Sequence, residues 1–107
     1  MNTQIRPAAT VILMREGTDT FEIFMVKRSM KSSFGSLYVF PGGTLDAEDS
    51  LPEMYVHCEG LSDAQASSKL ALKQNGLAYW VACIRECFEE AGILLTNKSD
   101  MLLQDLN

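Results

Sequence analysis

The chain has 107 residues, 47% of them hydrophobic and 21% charged, a balance that fits one small globular domain and excludes a disordered chain. A formal net charge of −5 argues against a broad nucleic-acid surface, while leaving room for a small polyanionic substrate held through metal ions. There is no apolar run of about 18 residues and no apolar leader at the start, so neither a membrane span nor a secretory signal is expected.

Taken in order, Ala8–Met14 is apolar and β-branched and reads as a strand. Glu16–Thr20 is turn chemistry, and Phe21–Val26 reads as a second strand, forming an antiparallel hairpin with the first. Lys27, Arg28 and Lys31 follow in a serine- and glycine-containing loop. They are either solvated loop charge or a cluster facing phosphate. Leu37–Phe40 is a short third strand stopped by Pro41-Gly42-Gly43. The two glycines make a turn or let backbone approach a ligand closely.

Asp46–Ser50 reads as an acidic loop or a first helical turn. Ser62 or Asp63 caps a helix expected to run to about Gln74, where Asn75-Gly76 ends it. A long helical pattern then starts at Leu77. At 100° per residue, Leu77, Trp80, Val81, Ile84, Cys87, Phe88 and Ala91 share one arc, and Glu86, Glu89 and Glu90 share the other. Gly92 is the expected C-cap. Ile93–Thr96 reads as a fourth strand, Asn97–Asp100 as a turn and Met101–Leu106 as a last short helix.

The acidic face carries an electrostatic conflict. Glu86 and Glu90 are like charges at i,i+4, destabilising by roughly 0.2–0.5 kcal/mol. Acids near the negative end of a helix are disfavoured by a further ~0.3–1 kcal/mol each. Arg85 offsets Glu89 at i,i+4. The face is therefore either a solvated acidic surface or a site for a hard divalent cation. Cys58, Cys83 and Cys87 form no CxxC pair, which points to a reducing, intracellular setting. Cys83 and Cys87 at i,i+4, with His57 beside Cys58, leave a zinc site as the alternative to buried thiols filling a core.

The run Arg85-Glu86-Cys87-Phe88-Glu89-Glu90-Ala91-Gly92-Ile93 resembles the second half of the Nudix box, G-x5-E-x7-R-E-U-x-E-E-x-G-U with U apolar. Five fixed residues match, which chance produces on the order of once in 10⁶ positions. Gly43, after Phe40-Pro41-Gly42, looks like the box glycine. The residue six further on is Asp49 rather than Glu, and 35 residues stand between Asp49 and Arg85 where the box has seven. The split box is similar to that of the coenzyme A and acyl-coenzyme A diphosphatase ("motif 19") branch, over about Ala8 to Leu95. Val26-Lys27-Arg28-Ser29 is a loose match to a coenzyme A signature of other Nudix enzymes.

The resemblance implies an α/β fold, an α/β/α sandwich with a mixed sheet, incomplete at the C-terminus. It would be a single partial domain over 1–107, with an insertion at about 50–76. It implies a metal-dependent hydrolase of a diphosphate linkage, with coenzyme A or acyl-coenzyme A as substrate. Glu86, Glu89 and Glu90 would hold Mg²⁺ or Mn²⁺. Glu89, Glu90 and a residue outside this chain are the candidate general bases, Arg85 would orient the acids, and Arg28, Gly42 and Gly43 would meet the substrate. Peroxisome and mitochondrion are compartments the resemblance allows. Relatives continue well past the box helix, so the chain reads as a truncated or partial domain, with an open sheet edge that a second copy could pair. The alternatives are a catalytically inactive module acting through a partner and a hydrolase of another nucleoside diphosphate derivative.

Overall fold

The computed structural model describes residues 5–29 and 36–96. Six short strands, β1 (Ala8–Thr10), β2 (Met14–Glu16), β3 (Phe21–Ile23), β4 (Val26–Ser29), β5 (Ser36–Val39) and β6 (Gly42–Thr44), precede the helices. A 3-10 turn, Ala47–Ser50, leads into α1 (Pro52–Tyr55), α2 (Asp63–Lys69) and α3 (Leu77–Ala91). The chain is a mixed α/β structure of small antiparallel ribbons and helices, compatible with part of an α/β/α sandwich of the Nudix type. No helix among the described residues is long and apolar enough to cross a membrane.

The expected first strand divides because it has two partners. Its first part pairs with β6 (Ala8↔Thr44, Ala9↔Gly43, Thr10↔Gly42), and its second with β3 (Met14↔Ile23, Arg15↔Glu22, Glu16↔Phe21). The residues between keep their backbone hydrogen bonds: Val11 N–H donates to Pro41 O at 2.9 Å, and Leu13 O accepts from Phe24 N–H at 3.0 Å. So the expected hairpin is present as β2–β3, while β1 crosses to a strand that sequence reading made a turn. Gly42 and Gly43 belong to that strand. A Cβ at Gly42 would collide with Ala9 O and lie 2.8 Å from Thr10 Cα, so glycine is what lets β1 and β6 come together.

Lys27 and Arg28 stand in β4 rather than in a loop. Continuing the extended backbone to Ser29 lets β4 pair with β5, Val26↔Val39 through Ser29↔Ser36. Lys31 and the segments 97–100 and 101–106 lie outside the described residues. Ile93–Thr96 is irregular rather than a fourth strand. A strand needs a partner to satisfy its backbone, and none of the described strands pairs with it.

Ser62 caps α2 through a capping box. Its Oγ accepts from Gln65 N–H at 3.1 Å, and Gln65 Oε1 accepts from Ser62 N–H at 2.9 Å. The helix stops at Lys69, five residues before the expected end at Gln74. Ala71 takes a left-handed φ of 57°, with Leu72 N–H donating to Ser67 O (2.8 Å) and Ala71 N–H to Ser68 O (3.2 Å), a Schellman-type stop with alanine where glycine is usual. The chain then doubles back until Gly76 N–H meets Ser67 Oγ at 2.8 Å. Asp63 reaches the start of α3, accepting from Asn75 N–H at 3.1 Å and Leu77 N–H at 3.0 Å. It thereby serves as a remote cap for a helix whose own N-cap, Gly76, has no side chain.

α3 runs over its expected span and ends at Gly92, whose φ of 70° is left-handed. It touches β6, β1, the 3-10 turn, α2 and α1. Among the described residues, Ala66, Leu77, Ala78, Val81, Ala82 and Cys87 are buried, as is Pro41. Of the expected core arc, Leu77, Val81 and Cys87 are buried, but Trp80 and Phe88 are 36% and 43% exposed. Ala78 and Ala82, outside that arc, are buried instead, because a helix contacted on several sides buries small residues where its neighbours come closest. Trp80, Ile84 and Phe88 line an open groove of about 850 Å³ with Met54, Leu94 and Leu95.

Candidate functional site

Three pieces of chain converge on one end of α3. β6 brings Gly42 and Gly43. The 3-10 turn brings Asp46 and Asp49: Asp46 N–H donates to Asp49 Oδ2 at 2.8 Å, which fixes the Asp49 carboxylate over the turn. α3 brings Arg85, Glu86, Glu89 and Glu90.

Asp49 is wholly buried, and a buried carboxylate is tolerable only when paired. Its partner is Arg85, 36 residues on: Nε donates to Oδ1 at 2.9 Å and Nη2 to Oδ2 at 3.1 Å, a two-pronged pair. Nη2 also donates to Thr44 O at 3.1 Å. On the other edge of the guanidinium, Nη1 lies 3.1 Å from both Glu86 Oε1 and Glu89 Oε1, and 3.6 Å from Asp46 Oδ2. The hydrogen bond to Asp49 above all, then those to Glu89 and Glu86, push the Arg85 pKa above its ordinary range although burial opposes them. Arg85 is a fixed cation, and it offsets part of the charge conflict at the C-terminal end of α3.

The three glutamates differ in their surroundings. Glu89 is exposed, while Glu86 and Glu90 are half-buried, so they do not share one solvated face. Glu86 lies against Gly43: a Cβ there would stand 2.5 Å from Oε1 and 2.9 Å from Oε2. Glu90 Oε1 accepts a long bond of 3.4 Å from Gly42 N–H. Glu90 Oε2 is buried with no hydrogen-bond partner. An unpartnered carboxylate oxygen out of water costs about 1–3 kcal/mol or more, and a bound cation removes that cost.

Among the described residues, no three Asp, Glu, His or Cys side chains are drawn together as a formed metal cage. Glu86 and Glu89 are both engaged by Arg85 Nη1. The donor set still fits a hard divalent ion: carboxylate oxygens on one end of one helix, one of them orphaned, beside backbone without side chains. For zinc the residues fit poorly. Burial pushes the thiols of Cys58, Cys83 and Cys87 up, an unfavourable setting for the thiolates that zinc takes.

Of the residues singled out in the sequence, Gly42, Gly43, Arg85, Glu86, Glu89 and Glu90 come together here. Arg28 does not: it stands exposed on β4, which pairs with β5 alone. Asp46 was missed, although its place as cap of the 3-10 turn was legible as a helix-start residue followed three positions on by an acid.

The chain is 28% identical to the acyl-coenzyme A diphosphatase NUDT19 of Xenopus laevis over 112 aligned positions, which take in 85% of this chain and 30% of that protein. The chain therefore spans less than a third of that relative's length. No protein-family model matches the chain, and no solved structure does. The chain stands in a distant, Nudix-like relationship to that diphosphatase.

Proposed function

We propose that this chain carries the metal-binding part of a Nudix-type hydrolase that cleaves the diphosphate linkage of coenzyme A or acyl-coenzyme A. The observation that supports the reading best is the meeting of the two halves of the split box. Gly43 sits against Glu86, and Asp49 closes on Arg85 across 36 residues. The substrate class is our reading, and the distant relative's name and the split arrangement of the motif support it.

Glu86, Glu89 and Glu90 would hold Mg²⁺ or Mn²⁺. The metal would supply charge neutralisation at the diphosphate oxygens and a water of lowered pKa for attack on phosphorus. Gly42 lets β1 lie against β6, and Gly43 lets the Glu86 carboxylate lie against the β6 backbone, so the two glycines hold the acids of α3 beside the place proposed for the diphosphate. Glu89, the exposed acid, and Glu90, with its unpartnered oxygen, are the candidates to take a proton from the attacking water. The Asp49–Arg85 pair holds the 3-10 turn to α3 and so fixes Gly43 relative to Glu86. Arg28 is the cation proposed for anionic groups of the substrate beyond the reacting diphosphate.

The test is hydrolysis of coenzyme A by the purified chain with Mg²⁺, Mn²⁺ or chelator, following adenosine 3′,5′-bisphosphate. Metal-dependent product that is lost in Glu90→Gln supports the reading. A folded sample that makes no product with either metal rules it out for this chain as a catalyst.

A further inference from the structure

The guanidinium of Arg85 has two edges in unlike surroundings. The inner edge, Nε and Nη2, is bonded to the wholly buried Asp49 at 2.9 and 3.1 Å and to Thr44 O at 3.1 Å. The outer edge, Nη1, makes single contacts of 3.1 Å to Glu86 and Glu89, the latter 54% exposed at its side chain. Bonds to a buried, two-pronged carboxylate are held more tightly than single contacts, above all the one to Glu89, which is open to water, whereas the Glu86 side chain is 16% exposed.

We propose that Arg85 is a built-in counter-cation for the acidic end of α3: Asp49 anchors its inner edge, while its Nη1 holds Glu86 and Glu89 until a divalent cation takes them. This inference rests on the metal reading above. In it, Arg85 gives up its outer contacts on metal loading and keeps its inner ones, so the 3-10 turn and α3 stay joined. Glu90 is outside the arginine's reach, and its Oε2 lacks a partner, which makes it the acid open to a cation first. The arrangement accounts for two otherwise separate facts: three carboxylates stand at one helix end, yet they are not gathered as a cage.

The two members of the ion pair then have opposite effects on metal affinity. Without Arg85, the glutamates face a cation with no competitor. Without the Asp49 charge, the guanidinium is freed from its anchor and competes more strongly for Glu86 and Glu89. A purely structural pair would lower metal affinity whichever member was lost.

The experiment is titration with Mn²⁺, reading free Mn²⁺ by electron paramagnetic resonance, on the wild-type chain, Arg85→Gln, Asp49→Asn and the charge-neutral double variant D49N/R85Q. Circular dichroism checks folding in each. The expected result is Mn²⁺ binding about tenfold tighter in Arg85→Gln and in the double variant, and weaker in Asp49→Asn. If Arg85→Gln fails to fold, the double variant, which leaves no uncompensated buried charge, decides. Binding in the double variant equal to or weaker than wild type overturns the counter-cation and leaves the metal reading standing. Asp49→Asn binding as tightly as wild type overturns the anchor. No Mn²⁺ binding in any folded form overturns both the inference and the metal reading.

Discussion

Asp49 is a carboxylate taken wholly out of water, and Arg85 makes that burial tolerable. Removing one member of a buried pair costs about 3–5 kcal/mol. Here the Arg85 side chain is 19% exposed and keeps other acceptors, so Asp49→Ala is expected to cost roughly 2–3 kcal/mol in a urea titration. Asp49→Leu combined with Arg85→Met should cost less than either single change, because no charge is left unpaired. Gly43 and Gly42 part company in a similar comparison. A Cβ at Gly43 meets a carboxylate at the end of a flexible side chain, whereas one at Gly42 meets the backbone of Ala9 and Thr10. Gly43→Ala should therefore keep most of the stability, losing under about 1 kcal/mol, while the hydrolysis proposed for this site falls at least tenfold as Glu86 is displaced. Gly42→Ala should lower the urea midpoint itself by separating β1 from β6. The place of Asp49, six residues past Gly43, was legible in the sequence, and its partner was not, because local spacing says nothing about pairs 36 residues apart.

Where elements begin and end was legible where the chain uses the usual signals. Ser62 with Gln65 marks the start of α2, and Gly92 marks the end of α3. The end of α2 was misread because its left-handed residue is Ala71, at φ 57°. For an L-residue with a Cβ, that conformation is disfavoured by roughly 1–2 kcal/mol. Ala71→Gly removes the Cβ, and part of the gain is lost to the greater freedom of glycine in the unfolded chain. The expected outcome is a stabilisation of about 0.5–1 kcal/mol with α2 unchanged in length, read from urea midpoints and circular dichroism. A loss of stability would mean that Ala71 contributes packing its exposed position does not indicate. The strands were legible as stretches of extended chain, but their pairing was not. Segments of three or four residues can be matched in several registers, and the choice depends on distant partners such as the glycines of β6.

On the scale of the molecule, the described residues form three two-stranded ribbons and a long helix whose buried residues are alanines, a valine, a leucine and a cysteine. Two-stranded ribbons are marginal alone, so much of the stability must come from what packs on α3. One flank of that helix is closed by β1, β6 and the 3-10 turn, which is the flank that assembles the candidate site. Another flank, with Trp80, Ile84 and Phe88, opens into the groove shared with Met54, Leu94 and Leu95. The sequence marked these residues as core by periodicity, and periodicity reports only that a face is apolar, not that something covers it. Trp80 is the chain's one tryptophan, so fluorescence excited at the red edge, where the three tyrosines do not absorb, reports this groove. With 36% of its surface exposed, it should be quenched by iodide in the folded chain, and an apolar dye in the groove should receive energy from it. Phe88→Glu should weaken dye binding while shifting the urea midpoint by less than about 1 kcal/mol, since Phe88 is already 43% exposed. Trp80 fluorescence that iodide cannot reach at low protein concentration would mean that the groove is closed in solution, and a large stability loss in Phe88→Glu would mean that this side chain lies in a packed interior.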